Sequence, residues 1–318
     1  MVSEPSRVIT LSDKRHGLPF SKGLLAQSFT ATGLPPSTAY EVAQAIQDDL
    51  RERDELSITM GRLKELAIEY LQRMAGAPFA ERYRHLAELS NIDTPVIVLI
   101  GGTTGVGKST IASEVAHRLG ITRFISTDSI REVMRGIFTE ELMPALHASA
   151  FEAWRSLRVP VPHGANPVIV GFREQAAVVT AGIKALIERS MQEGVSLVIE
   201  GIHLVPGYIE PSEFPGARVV QILIAVDDED AHRSHFYIRE VQTDGLRPFE
   251  RYRSNFDNIR MLGHYIEEQA EAHDIRIIHS HQLDRTVADT LEHVVNDVLL
   301  GGEGAPDAGV TTKEEDGT

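Results

Sequence analysis

Residues 96 to 120 read VIVLIGGTTGVGKSTIASEVAHRLG, an apolar run followed at once by glycines, a lysine, a serine and a helix-like segment. The run suits a strand buried on both faces, and the segment after Lys108 repeats apolar residues at helical spacing. Gly101, Gly102, Gly105 and Gly107 separate the two. Without side chains in the way, backbone N–H groups there can turn into one concavity and wrap a polyphosphate. Gly102 to Ser109 satisfies G-x-x-x-x-G-K-[ST] in the strand–loop–helix setting the motif requires. Gly102, Thr103, Thr104, Gly105, Val106 and Gly107 are expected to line the phosphates of ATP. Lys108 would reach the β- and γ-phosphates, the Ser109 hydroxyl would ligate Mg²⁺, and Thr110 would add a hydroxyl near the α-phosphate. A dinucleotide fingerprint fails here, because the third glycine position after Gly105 and Gly107 is Thr110.

Outward from this loop, strand-like runs alternate with helical ones. PVIVLI, RFIST, SLVIEG, VVQILIAV and IRIIH read as strands, with helices such as Lys108–Leu119 and Glu174–Glu193 between them. That alternation predicts βαβ units and a doubly wound parallel sheet, an α/β fold of the P-loop NTPase class. The first ~90 residues differ. RVITL and LPFS flank the turn-like SDKRHG and suggest a hairpin, followed by helices over Lys22–Thr32, Ser37–Arg53 and Met60–Met74 and a connector with one more helix. The segment from Gly301 is small, polar and acidic and reads as a disordered tail. The expected division is therefore 1–90, 91–300 and 301–318.

The chain has 318 residues, 42% of them hydrophobic and 24% charged, as expected for a soluble globular protein. The absence of cysteine excludes disulfides, thiolate nucleophiles and cysteine-ligated zinc. A formal charge of −15 argues against a nucleic-acid surface, and no apolar run is long enough for a membrane span, so a cytoplasmic location is expected. An oligomer is compatible with all of this.

The chemistry beyond the phosphate loop rests on scattered acids and arginines. Glu200, ending SLVIEG, stands where a second carboxylate would meet the metal, or is a solvated strand end. Asp128, in FISTDSIREVMR, can cap the helix it begins or face the γ-phosphate as base or orienter for an acceptor hydroxyl. Arg131 and Arg135 lie four apart on one helix face, suited to a carboxylate or phosphate on the acceptor, although a solvated face would show the same spacing. Arg233, Arg239, Arg247, Arg251 and Arg253 crowd into 21 residues and read as an arginine-rich helical lid, with Arg233 and Arg239 the candidates for steadying a migrating phosphoryl group. Among the 13 histidines there is no paired metal spacing. HSHQ at 279–282 reads as a polar loop, with the edge of an adenine pocket as the alternative, and Trp154 reads as a packing residue.

Taken together, IGGTTGVGKSTIASEVAHRLGI, STDSIREVMR, GFREQAAVV, VIEGIHLVPG and NFDNIRMLGHYI resemble the 2-phosphoglycerate kinase family over roughly 95–300. The resemblance implies transfer of the ATP γ-phosphoryl group to the 3-hydroxyl of 2-phosphoglycerate, a small phosphorylated acid, giving 2,3-bisphosphoglycerate. Arg131, Arg135 and Arg173 could pair with the acceptor's carboxylate and phosphate. VITLSDKRHGLPFSKGLLAQSFTATGL is similar to an ATP-cone, a small regulatory nucleotide-binding module. That similarity implies roles for Lys14, Arg15 and Lys22 at a second nucleotide, although Gly23 departs from the usual isoleucine. The residues alone leave open a kinase of another phosphorylated or carboxylated metabolite, a nucleoside monophosphate kinase, or an ATP sensor without catalysis.

Overall fold

In the computed structural model, residues 9–12, 17–89, 92–242 and 249–301 are described. Lys14, Arg15, Arg247 and the tail beyond Gly301 lie outside them, as does the side chain of Arg239.

The N-terminal segment builds a three-stranded sheet and a helical layer. β1 (Thr10–Ser12) pairs antiparallel with β2 (Gly17–Pro19), so the expected hairpin forms. Next come α1 (Lys22–Thr30), α2 (Pro36–Glu52), the two-residue β3 (Ser57–Ile58), α3 (Met60–Met74) and α4 (Ala77–Leu89). β3 pairs parallel with β1, a strand too short to leave a periodic signal in the sequence. The helices begin where their caps are. The Ser21 hydroxyl accepts from the Leu24 N–H at 3.3 Å, and the Thr59 hydroxyl from the Arg62 N–H at 3.2 Å. Val42, Ala43, Ile46 and Leu50 form the buried stripe of α2 and meet Leu63, Leu66 and Leu71 of α3 in one apolar core with Phe29.

The rest of the chain folds around a five-stranded, all-parallel sheet. Its strands are β4 (Val96–Gly101), β5 (Arg123–Ser126), β6 (Leu197–Glu200), β7 (Arg218–Ala225) and β8 (Arg276–His279), in the order β5-β6-β4-β7-β8. α5 (Lys108–Arg118) and α11 (Leu283–Leu300) cover one face. α6 (Thr127–Ile137), α7 (Pro167–Glu193) and α10 (Phe256–Ala272) lie on the other, with α8 (Glu229–Gln242) and α9 (Phe249–Ser254) at the strand ends. β4 is buried throughout because it serves both faces. Val98 and Ile100 enter the core beneath α5 and α11, while Ile97 and Leu99 enter the core beneath α6 and α7. The sheet is doubly wound, and its crevice opens beyond the carboxyl ends of β4 and β6.

One helix departs from expectation, and the expected connector helix joins two cores. α7 begins at Pro167, not near Glu174, with the Asn166 side chain accepting from the Val168 N–H at 2.9 Å. Gly171 resembles a breaker in sequence, but it is a contact point: a Cβ there would collide with the backbone of Trp154. α4 faces both ways, giving Ala80 and Tyr83 to the N-terminal core while Leu89 packs beneath α5 and α11. Among the described residues no helix is long and apolar enough to cross a membrane.

Candidate active site

The phosphate loop leaves β4 at Gly101 and enters α5 at Gly107, which caps the helix in the left-handed region at φ +85°. Gly105 also has positive φ, +92°, and a Cβ there would stand 2.5 Å from the Phe236 ring. Only glycine lets α8 approach so closely. The loop is also held from outside, by one of its own threonines and by two histidines to which the sequence assigned no role. Thr103 donates its hydroxyl to the Ile259 carbonyl of α10 at 3.1 Å. His232 Nε2 lies 2.8 Å from the Thr104 carbonyl, and His235 Nδ1 lies 2.9 Å from the Gly105 carbonyl. A carbonyl only accepts, so each of these ring nitrogens carries its proton. His232 and His235 are three apart on α8, a same-face spacing that was visible in the sequence. Burial, which outweighs its bond to Thr104, pushes His232 down to about 4, so the ring is neutral. Lys108 donates to the Thr103 carbonyl at 3.2 Å.

Beside this loop lies a cleft of about 520 Å³, lined by Gly105 to Ile111, by His235 and Ile238 of α8, and by Ser280, His281 and Leu283 after β8. The HSHQ stretch therefore does reach the cleft, with His279 Nδ1 2.8 Å from the Asp227 carboxylate. Ser109 and Thr110 are exposed at the start of α5. Glu200 ends β6 opposite Ile100, is only 5% exposed, and has no hydrogen-bond or ion-pair partner among the described residues. A nearly buried carboxylate with a free face at a strand end is placed to meet a cation. No cluster of three or more His, Cys, Asp or Glu suited to a metal occurs among the described residues. One carboxylate and one hydroxyl suit Mg²⁺, which takes its remaining ligands from phosphate and water.

On the other side of the crevice, α6 carries the acceptor-side candidates. Its cap is Ser126, whose hydroxyl accepts from the Ser129 N–H at 3.1 Å, so Asp128 is not the cap and its carboxylate is free to face the crevice. Partial desolvation would raise the Asp128 carboxyl, but His203 once protonated in acid, with the standing charges of Arg131 and Lys108, outweighs it and holds the carboxyl below its ordinary value. Arg131 lies 3.5 Å from Asp128, donates to the Leu146 and Ala148 carbonyls at 2.8 and 3.3 Å, and meets Glu132 at 2.9 Å. Arg135 pairs with both Glu132 oxygens at 2.8 and 2.9 Å. The two arginines thus share one carboxylate.

Behind Asp128 lies a buried relay from three distant segments. Thr127 Oγ1 is 2.8 Å from His203 Nδ1, and His203 Nε2 is 3.1 Å from Gln175 Oε1. The Gln175 amide nitrogen donates to the Ala145 and Ala148 carbonyls. Its oxygen must therefore accept, which puts the imidazole proton on Nε2 and makes Nδ1 the acceptor for the Thr127 hydroxyl. Burial drives His203 down to about 4, so the ring is neutral and every polar atom of the relay is satisfied. Gly201 permits this approach, because a Cβ there would strike the Thr127 hydroxyl.

The remaining arginines are dispersed. Arg173 is exposed on α7 near Tyr208 and Tyr265, and among the described residues it shares no partner with Asp128. Arg233 lies over the Phe256 ring at 4.3 Å and pairs with Glu229 at 3.3 Å. Arg251 of α9 reaches across to Ser149 and Glu152 at 2.8 and 2.7 Å, joining the lid helices to the acceptor-side segment. Lys22, in the N-terminal segment, donates to Gln44 and stands 4.2 Å over the Tyr40 ring.

No family model matches the chain. It is 40% identical over 295 residues to the 2-phosphoglycerate kinase of Methanopyrus kandleri, covering 93% of this chain and 89% of that protein. It is 40% identical over 293 residues to the 2-phosphoglycerate kinase of Methanothermobacter thermautotrophicus, with 92% and 95% covered. The enzyme of the same name from Thermococcus kodakarensis is 39% identical over 284 residues, with 89% and 95% covered. Among solved structures it is similar to a shikimate kinase from Acinetobacter baumannii in complex with shikimate, at a TM-score of 0.41 and 16% identity over 68% of this chain and 99% of that one. A gluconokinase from Sinorhizobium meliloti gives a TM-score of 0.38 at 14% identity over 66% and 99%. On identities of this size across nine-tenths of its length, the chain belongs to the 2-phosphoglycerate kinase family.

Proposed function

We propose that this protein is an ATP-dependent kinase that phosphorylates the 3-hydroxyl of 2-phosphoglycerate, giving 2,3-bisphosphoglycerate and ADP. One observation carries the reading beyond family membership: Lys108 opens α5 beyond the carboxyl end of β4, and Asp128 stands in the first turn of α6 beyond the carboxyl end of β5, on the same edge of the parallel sheet. A phosphoryl donor and a proton acceptor thus face one crevice. The phosphate loop and Lys108 clamp the ATP phosphates. Ser109 and Glu200 would hold Mg²⁺, which when bound neutralises charge on the β- and γ-phosphate oxygens.

Asp128 accepts the proton of the acceptor hydroxyl as its oxygen bonds to the γ-phosphorus and the bond to ADP breaks. Its depressed pKa keeps it ionised for that task at neutral pH. Arg131 and Arg135 receive the acceptor's carboxylate and phosphate by exchanging Glu132 for the substrate anion. Arg173 and the lid arginines Arg233 and Arg239 complete the charge balance as the lid closes. The N-terminal module ends near residue 90, and α4 joins it to the kinase module.

The test is ADP release measured with 2-phosphoglycerate, 3-phosphoglycerate, nucleoside monophosphates and no acceptor. Turnover that depends on 2-phosphoglycerate supports the reading. Turnover only with a nucleotide acceptor would sink it, and nucleotide binding without acceptor-dependent turnover would mark a sensor.

A further inference from the structure

A second cavity, of about 410 Å³, lies far from the crevice, between the N-terminal core and the kinase module. Its walls are the turn after α1, the outer face of α4, the last turn of α5 and the middle of α11. Apolar side chains, among them Leu86, Leu291 and Val295, supply most of the surface. Two guanidinium groups converge on it. A Cβ at Gly33 would lie 3.5 Å from an Arg118 terminal nitrogen and 3.7 Å from an Arg82 terminal nitrogen, so both forks reach the same point.

Neither fork is used up. Arg118 donates through Nε to Glu114 at 2.8 Å, and Arg82 through Nε to the Pro78 carbonyl at 3.2 Å. Among the described residues neither guanidinium makes another hydrogen bond and Arg82 has no ion-pair partner, its one further contact being the Phe79 ring, 4.6 Å from the guanidinium carbon. Desolvation and the neighbouring Arg118 both disfavour the charged form of Arg82, against the help of Glu292. Two like charges brought together beside an apolar wall are what an anion would relieve.

We propose that this cavity is a second ligand site for a small amphipathic anion, its carboxylate or phosphate head between Arg82 and Arg118 and its apolar body against Leu86, Leu291 and Val295. The volume suits a metabolite-sized ligand. Glu81 and Glu292 also line the cavity and would repel a polyphosphate, so the site selects a head of one or two charges over a nucleoside triphosphate. Because α5 runs from Lys108 to Arg118, this ligand touches the same helix that carries the phosphate loop at its other end.

The test is calorimetric titration of the full chain with phenyl phosphate and, separately, hexanoate, while a non-hydrolysable ATP analogue and 2-phosphoglycerate fill the crevice. One binding event is expected with at least one of the two probes. Arg82→Met and Arg118→Met should each weaken it about tenfold or more, the loss of a charge-assisted bond, while hexanol shows no binding. Arg82 is exposed and its stem is kept in methionine, so Arg82→Met alone decides the matter if Arg118→Met fails to fold. Absence of binding by both probes, affinity unchanged in Arg82→Met, or inorganic phosphate binding as tightly as phenyl phosphate would each overturn the proposal.

Discussion

Lys108 and Ser109 are adjacent in sequence and act on different partners, one on phosphate oxygens and one on the metal. Replacing either by alanine removes one electrostatic stabiliser of the transferring group, a loss expected to cost on the order of 10²–10³ in kcat. Wild-type turnover by a folded Lys108→Ala protein would refute the phosphate-loop assignment. Asp128 and Arg131 separate differently. Asp128→Asn keeps the side-chain shape and should lower kcat with little change in acceptor KM. Arg131→Met should raise acceptor KM and leave ATP KM unchanged. It should also lower the melting temperature, because the Leu146 carbonyl loses its donor while Ala148 keeps Gln175, a cost of about 1–3 kcal/mol. A change in ATP KM with an unchanged melt would contradict both parts. At this scale the sequence was readable where geometry dictates residue type. Glycine spacing exposed the loop, whereas Ser126 and Asp128, two good capping residues two apart, gave no means of choosing between them.

The element that decides the shape of the nucleotide site is α8. Its His232 and His235 bind carbonyls of the phosphate loop, and Phe236 stacks on Tyr252 of α9 with ring centroids 4.8 Å apart and 7° between planes. The loop and the lid are therefore one packed unit. His232→Phe preserves the stack on Phe236 and deletes the donor to Thr104. It should destabilise the fold by about 1–3 kcal/mol and raise ATP KM, with acceptor KM little changed. Thermal melts and steady-state kinetics would check this, and an ATP KM equal to wild type would show that the clip has no part in nucleotide binding. The alternation of strands and helices made the sheet legible, since each buried strand is a short apolar run. α7 was legible only in part, because Gly171 looks like a stop until Trp154 is seen packed against it. The Thr127–His203–Gln175 relay left no local trace, since its members lie in segments 28 to 76 residues apart.

For the molecule as a whole, two buried neutral histidines set the response to acid. Both are held near 4 in the folded protein, against an ordinary value of 6.5. The unfolded chain takes up protons that the folded one refuses, so their contribution to stability is complete above about pH 6.5 and is lost as pH falls toward 4. Each can account for roughly 3 kcal/mol over that window. Asp128, with its pKa depressed, adds to the same trend at lower pH. The melting temperature should therefore drop steeply between pH 6.5 and 4.5, and His203→Gln should flatten that slope even if it melts lower at pH 7.5. A wild-type profile flat across this range would mean that neither imidazole is held neutral by burial. Nothing in the sequence marks His203 or His232 as the buried ones among the 13 histidines, because burial is a property of the assembled chain.

Trp154 is the only tryptophan in the chain, and it sits in the segment that Arg251 of the lid helices reaches from the other side of the crevice. Its indole nitrogen is buried with no hydrogen-bond partner among the described residues, and the Arg155 guanidinium lies 5.6 Å from its ring. An indole in such a place emits at short wavelength while the segment stays packed and shifts to the red when water arrives. The protein therefore carries its own optical gauge of lid position: titration with 2-phosphoglycerate should move the emission maximum of the unlabelled chain. Arg251→Ala, by cutting the tie to Ser149 and Glu152, should displace the starting maximum to the red and shrink the ligand-induced change.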